Sequence, residues 1–332
     1  MTKTRIGIYG VGHNHAAGAI DALKRDERVE IVGIYEPDGE TLARRRKECP
    51  ATYDGIADMT ETEFFGANPD AVMVETSVPD LVSAARKCAE RGLHIHMDKP
   101  AGINLGEYGD LLDLARQKRL IFQTGYMYRY NAGIRYVFDK AKSGALGKIY
   151  NVTAQMCTKH PAWLKEQFIS YGVKSPIMYI FGCHLIDLVL GLKGEPQKIN
   201  AFGAVSGDGG VDFTDTSLAV MSYPDGIATV KVSSVEVNGW GMREFTVCGE
   251  KGTISVSPIE KTMKVVETLD GESSPWNDGA RIVEICEEDR YDPMMREFVS
   301  EVRGELPNTT DYEREYLLQK YTLAACGYAV EK

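Results

Sequence analysis

The sequence has no excess of positive charge, no paired cysteines and no apolar run long enough to span a bilayer. Lys and Arg number 38 against 48 Asp and Glu, a formal net charge of -10 at pH 7. That argues against a phosphate-backbone partner, because nucleic-acid binders concentrate positive charge. The seven cysteines, Cys49, Cys88, Cys157, Cys183, Cys248, Cys286 and Cys326, are odd in number and scattered, and none forms a CxxC pair. They read as reduced thiols rather than a disulfide frame or a cysteine zinc site. The opening MTKTRIGIYG runs directly into a strand, without the apolar segment and small-residue cleavage site of a secretory leader. The expectation is a cytoplasmic protein with no membrane and no nucleic-acid partner. Internal repeats and low-complexity linkers are also missing. What remains is 332 residues, 43% hydrophobic and 26% charged, a soluble globular composition with length enough for two domains.

The first part of the chain alternates strand and helix patterns. Arg5–Gly10, Val29–Glu36, Ala71–Ser77, Leu93–Met97 and Ile121–Tyr126 read as strands. Helical patterns fill the intervals, among them Thr41–Glu48, Asp80–Arg91 and Leu105–Arg119. Such alternation predicts a parallel sheet with helices on both faces. After about Tyr126 the pattern changes. A helix at Ile134–Lys142 leads to a strand at Gly147–Met156, an irregular loop rich in aromatics and lysine, and a helix around His184–Leu192. Then come alternating runs joined by turn signals, Pro224-Asp225-Gly226 and Gly249 to Gly252, which predict antiparallel strands. Helices at about Met294–Val302 and Tyr312–Tyr328 end the chain. The expected division is residues 1–125 and 126–332.

In GIYGVGHNHAAG, Gly10 and Gly12 lie between a strand and a helix, where glycine allows a tight turn and close approach to a pyrophosphate. The following helix N-terminus adds N–H groups and a positive dipole end. The third glycine of the GxGxxG pattern is replaced by His15. The second strand ends in Glu36, 26 residues after Gly10, where an acid accepts hydrogen bonds from the ribose hydroxyls of NAD and repels the 2′-phosphate of NADP. NAD is favoured, while Arg44, Arg45 and Arg46 keep NADP open. His13 and Asn14 either touch phosphate or nicotinamide or are solvated capping residues. A metal at His13 and His15 is not expected, because no acid is near them in sequence.

HIHMDKPAG, His94 to Gly102, ends a strand and then sets Asp98, Lys99 and Pro100 in a row. Proline cannot donate to a sheet ladder, so pairing stops and an amine is displayed at the strand end. In open α/β sheets ligands bind at that edge, the same one that carries Gly10, Gly12, Thr76 and Ser77. With RIGIYGVG, Glu36, GYMYRYN and GCHLIDLVLGLKGEPQKINAF, this segment resembles the Gfo/Idh/MocA oxidoreductases over essentially the whole chain. The resemblance implies an α/β protein: an N-terminal Rossmann dinucleotide-binding domain and a C-terminal α/β domain with a large, mostly antiparallel open sheet. It implies that Asp98 and Lys99 belong to the cofactor site, that Lys99 reaches the reacting hydroxyl, and that the Lys99–Pro100 bond is cis.

GCHLID puts His184 and Asp187 three apart on one helix face. Histidine titrates near neutrality and suits taking a proton from an alcohol as hydride leaves. By resemblance, His184 matches the family's catalytic histidine and Asp187 a second acid. Many family members carry an Asp four residues earlier, where this chain has Ile180; a shift of one residue puts Tyr179 there. By resemblance the loop Cys157–Phe168 lines the substrate pocket, with His160, Trp163 and Lys165 as sugar contacts, and Tyr126, Tyr128 and Tyr179 complete the candidate substrate set. Arg129 matches a family arginine that is as readily structural as functional. The expectation is an NAD-dependent oxidoreductase acting on a secondary hydroxyl of a carbohydrate-like small molecule, with Lys99, His184 and Asp187 as catalytic residues. Two other readings stay open. One is an enzyme with tightly held NAD catalysing net elimination, epimerisation or glycoside cleavage through transient oxidation. The other is a non-catalytic NAD- or sugar-binding protein. A sheet face in need of cover suggests a homodimer or homotetramer.

Overall fold

The computed structural model describes residues 2–270 and 279–330. Two compact units are present, Met1–Met127 with Asp289–Tyr316, and Tyr128–Glu288 with Leu317–Lys332.

The first unit is built on β1 (Thr4–Tyr9), β2 (Val29–Tyr35), β3 (Ala71–Val74), β4 (His94–Met97) and β5 (Phe122–Thr124), in the order β2-β1-β3-β4-β5. Every pairing is parallel. Both faces of such a sheet are covered, so its central strands are apolar throughout; all four residues of β3 are buried. The covering helices are α1 (Ala16–Arg25), α2 (Gly39–Glu48), α3 (Pro50–Tyr53), α4 (Glu61–Gly66), α5 (Leu81–Glu90) and α6 (Leu105–Gln117). Local chemistry sets their starts. Thr60 and Glu63 form a reciprocal capping box on α4. Asn104 accepts from the N–H groups of Gly106 and Glu107 at the start of α6. The strand order reverses direction between β1 and β3, and the crevice at the carboxyl ends of those two strands is where doubly wound sheets bind ligands.

The helix Asp292–Val302, expected in the second domain, packs in this unit. Arg25 Nε donates to Asp292 at 3.0 Å, and Arg28 Nη1 to Ser300 Oγ at 2.9 Å. At Gly18 of α1 there is no room for a Cβ, which would meet the Tyr291 ring at 2.4 Å. These partners lie some 270 residues away in sequence, so no local pattern announced the return of the chain.

The second unit holds α7 (Ala132–Lys142), β6 (Ile149–Cys157), α8 (Ala162–Ser170), a π-helical turn (Met178–Gly182), α9 (Cys183–Lys193), β7 (Lys198–Ala204), β8 (Thr216–Tyr223), β9 (Gly226–Ser233), β10 (Glu244–Gly249), β11 (Gly252–Val256), β12 (Val265–Leu269) and β13 (Arg281–Val283). Its sheet order is β13-β12-β11-β10-β6-β9-β8-β7, antiparallel except for the β6–β9 pair. Both turn signals close hairpins, β8 to β9 and β10 to β11. Burial alternates along β8 and β10, the period of a sheet with one covered face. Val152, Ala154 and Met156 of β6 and Ala228, Val230 and Val232 of β9 lie on the buried side, where α9 and the π-turn pack. The loop expected to be irregular contains α8, which Pro161 precedes. Its solvent-exposed Trp163 and Ile169 obscure a helical stripe.

Candidate functional site

In the first unit, the turn after β1 presses against the end of β3. Gly10 has φ of +85°, and a Cβ there would meet backbone atoms of Thr76 at 2.7 Å. At Gly12 a Cβ would sit 2.8 Å from Ser77 N. Thus Gly10, Gly12, Thr76 and Ser77 come together as expected, and close packing onto β3 is itself a reason for both glycines. The turn is tied further by His13 N–H to Glu75 O at 2.8 Å and Gly10 N–H to Tyr35 O at 2.7 Å.

Glu36 stands at the end of β2 with its carboxylate turned to this loop, accepting from Val11 N–H at 2.7 Å and Asp38 N–H at 3.1 Å. Arg45 braces the loop from α2. Its Nε donates to Val11 O at 3.0 Å, and its Nη2 to Gly12 O and His13 O at 3.0 Å and to Asn14 Oδ1 at 3.1 Å. The three arginines that kept NADP open each have protein partners, Arg45 on this loop itself. Arg46 binds the carbonyls of Tyr53 and Ile56 and the carboxylate of Asp58, and Arg44 pairs with Glu48. The tight glycine turn, the carboxylate at the β2 end and the N-terminus of α1 fit the pyrophosphate and ribose of NAD.

The Lys99–Pro100 peptide is cis, and Asp98 and Lys99 are buried at the end of β4. Asp98 Oδ1 accepts from Lys99 N–H at 2.6 Å. Asp98 Oδ2 lies 3.0 Å from both His13 Nδ1 and His15 Nδ1. His15 is the N-cap residue of α1, and its ring is turned to Asp98. Burial pulls the His15 pKa down to about 4. Burial also opposes ionisation of Asp98, but the two imidazoles carry its carboxyl well below the usual range. Glu75, fully buried behind them, is pushed well above the usual carboxylate range by burial and by the charge of Asp98. Tyr126 is also buried in this unit.

In the second unit, His184 opens α9, buried, with its ring edge-to-face against Tyr128 at 5.0 Å between centroids. Asp187, one turn on, receives Arg129 Nε at 2.8 Å. Removing one partner of a buried pair costs about 3–5 kcal/mol, because the other charge is stranded. The Asp187 carboxylate is thus committed to holding Arg129. Tyr128 donates to Glu260, which also pairs with Arg243, and Arg243 Nη2 donates to Thr158 Oγ1 at 2.7 Å. The π-turn bears on the missing acid. Neighbours along a π-helical turn are spaced by five rather than four, which favours Tyr179 over Ile180 as the residue one turn before His184. Tyr179 is buried.

Among the loop residues, His160 stacks on Phe181 at 5.0 Å, with an interplanar angle of 21°. Trp163 is 65% exposed. Lys165 is a correction: its Nζ is buried and bound to Asp208 Oδ2 at 2.7 Å and Asp208 O at 3.1 Å, so it is not offered to a ligand. Reading by residue pattern missed the brace at Arg45, buried Glu75, and the Glu260–Arg243 pair. None has a local signal; each meets its partners only through the fold.

Residues 4–126 match the family described as oxidoreductase family, NAD-binding Rossmann fold, and residues 134–255 match the GFO/IDH/MocA C-terminal domain. The chain is 27% identical over 216 residues to the rhizopine catabolism protein MocA of Rhizobium meliloti, covering 63% of this chain and 65% of that protein. It is 24% identical over 339 residues to myo-inositol 2-dehydrogenase of Thermotoga maritima, covering 99% and 95% of the two. The fold is shared with the solved UDP-N-acetylglucosamine 3-dehydrogenase of Acidithiobacillus ferrooxidans, with TM-score 0.80, 18% identity and 98% coverage of both chains.

The surroundings of His160 generate a pH prediction. Burial, with the nearby charges of Arg243 and Lys165, pulls its pKa from 6.5 to about 4. Between those values the unfolded chain binds a proton that the folded chain refuses, so stability falls as pH drops through this window. His160→Phe keeps the stack on Phe181 and removes the titration. Urea midpoints at pH 7 and pH 5 are expected to fall less in the variant than in the wild type; equal falls would contradict the assignment.

Proposed function

Because this chain belongs to the Gfo/Idh/MocA family of oxidoreductases, whose N-terminal domain is an NAD-binding Rossmann fold, we propose that it is an NAD-dependent dehydrogenase acting on a secondary hydroxyl of a sugar, polyol or sugar derivative. The observation that carries the reading is Lys99, held at the carboxyl end of β4 on the sheet edge that bears the glycine turn. Bound NAD supplies a hydride acceptor at nicotinamide C4. The residues supply the rest. Lys99 orients the hydroxyl and stabilises negative charge as it develops on the oxygen. His184 takes the hydroxyl proton as general base. Asp187 fixes Arg129 and with it the helix face on which His184 stands. Glu36 selects the unphosphorylated ribose of NAD. Trp163 offers an exposed ring to the apolar face of a sugar. The names of relatives support this substrate class, myo-inositol and UDP-N-acetylglucosamine dehydrogenases among them.

The second unit's sheet also leaves apolar side chains outward. Phe202 is 59% exposed and pairs in register with Leu218, and Ile227 is 49% exposed on the neighbouring β9. A second copy of this chain is the proposed cover. Light scattering is expected to give a mass at least about twice 36.7 kDa; a monomer would contradict it.

A panel of sugars and polyols with NAD+ is expected to yield NADH with at least one substrate, and Lys99→Ala to cut turnover by roughly 10²–10³ with far-ultraviolet circular dichroism unchanged. Near-normal turnover in the folded variant would remove Lys99 from the chemistry. Substrate consumed without net NADH would replace the dehydrogenase reading with transient oxidation. Binding without turnover would leave a sensor.

A further inference from the structure

The argument against a metal at His13 and His15 was that no acid lies near them in sequence, yet the parallel sheet brings two. Asp98 comes from the end of β4, and its Oδ2 is 3.0 Å from each Nδ1. Glu75 follows β3, and its Oε2 is 3.6 Å from His13 Nδ1. The three ligand atoms of His13, His15 and Asp98 all lie within 4.8 Å of one another. A tetrahedral ion with bonds of about 2.0–2.2 Å spaces its donors about 3.3–3.6 Å apart. The separations of 3.0 Å and 3.6 Å lie just below that spacing and at its upper end, and His13 Nδ1, which also accepts the His15 backbone N–H at 3.2 Å, would exchange that hydrogen bond for the ion.

We infer that His13 Nδ1, His15 Nδ1 and Asp98 Oδ2, with Glu75 as fourth donor, form a binding site for one divalent transition-metal ion of the zinc class. Two nitrogens and two oxygens suit a borderline ion such as zinc.

A second observation points the same way. Both oxygens of Glu75 are buried and meet no hydrogen-bond partner among the described residues. A carboxylate is costly to bury without a proton or a cation. The neighbouring histidine does not relieve it. His96 Nδ1 is matched to Gln123 Oε1 at 2.8 Å, so in the neutral ring Nδ1 carries the proton. Its Nε2, 3.7 Å from Glu75 Oε1, then faces the carboxylate as a second acceptor. An ion on Glu75 Oε2 compensates the carboxylate in place of the proton that burial and Asp98 otherwise favour there. Gly10, Gly12 and Glu36 contribute no ligand, whereas His13 and Asp98 also belong to the candidate cofactor site, so His15 and Glu75 are the positions that test metal binding apart from NAD binding.

The test is calorimetric titration of the full-length, tag-free chain, stripped with a chelator, using zinc sulfate, with cobalt chloride in parallel for its visible spectrum. One ion per chain is expected, with an absorption band from a low-symmetry cobalt centre. His15→Ala and Asp98→Asn are each expected to weaken binding by at least about tenfold, and Glu75→Gln by roughly 10–100-fold, with folding checked by circular dichroism. Cys286→Ser, which removes an exposed thiol outside the cluster, is expected to bind as the wild type does. No stoichiometric binding, binding unchanged in His15→Ala, or binding lost in Cys286→Ser would overturn the site.

Discussion

Space for a Cβ is missing at Gly12, where one would lie 2.8 Å from the backbone nitrogen of Ser77, and the chemistry of the N-terminal unit depends on that close approach. It lets the turn after β1 lie against the end of β3, so His13 N–H reaches Glu75 O. From there the order β2-β1-β3-β4-β5 sets Glu36, Thr76 and Lys99 along one edge. Arg45 makes the arrangement stiff. Hydrogen bonds from a charged donor are each worth about 1.5–3 kcal/mol, and this guanidinium makes four to one turn. A loop held in place before its ligand arrives has less ordering entropy to lose on binding.

The second unit solves a different problem, that of placing polar groups inside an apolar layer. His184, Asp187 and Glu260 are all buried, and ion pairs from Arg129 and Arg243 stabilise the two acids. Such pairs contribute little net stability over apolar replacements, but they are expensive to break singly. They therefore fix positions rather than add strength. The π-turn before α9 belongs to the same design. Single π-turns in longer helices recur at functional sites, and this one sits immediately before His184.

Much of this was legible in the residues, and what was not has physical reasons. Periodicity found the five parallel strands, because buried strands are continuous apolar runs. The Pro224-Asp225-Gly226 and Gly249–Gly252 turns announced their hairpins through turn chemistry. The Gly10, Gly12 and Glu36 pattern and the cis Lys99–Pro100 bond followed from motif and resemblance. Side-chain partners across long separations were not legible. Arg44, Arg45 and Arg46 looked alike in sequence, yet one braces the loop, one binds the segment after α3 and one pairs locally. The acids beside His13 were hidden because they come from the ends of β3 and β4. The return of Asp289–Tyr316 to the first unit was equally invisible, since no pattern within that segment names its partner.

The most direct test of the central claim is a parallel calorimetric titration of NAD+ and NADP+ into the wild-type chain and Glu36→Ala. The account predicts that the wild type prefers NAD+ and that the variant loses most of that preference, because the carboxylate that accepts from the ribose and repels the 2′-phosphate is gone. Binding of neither dinucleotide by the folded wild type, or an NADP+ preference that Glu36→Ala leaves unchanged, would contradict the reading of the glycine turn and of everything arranged around it.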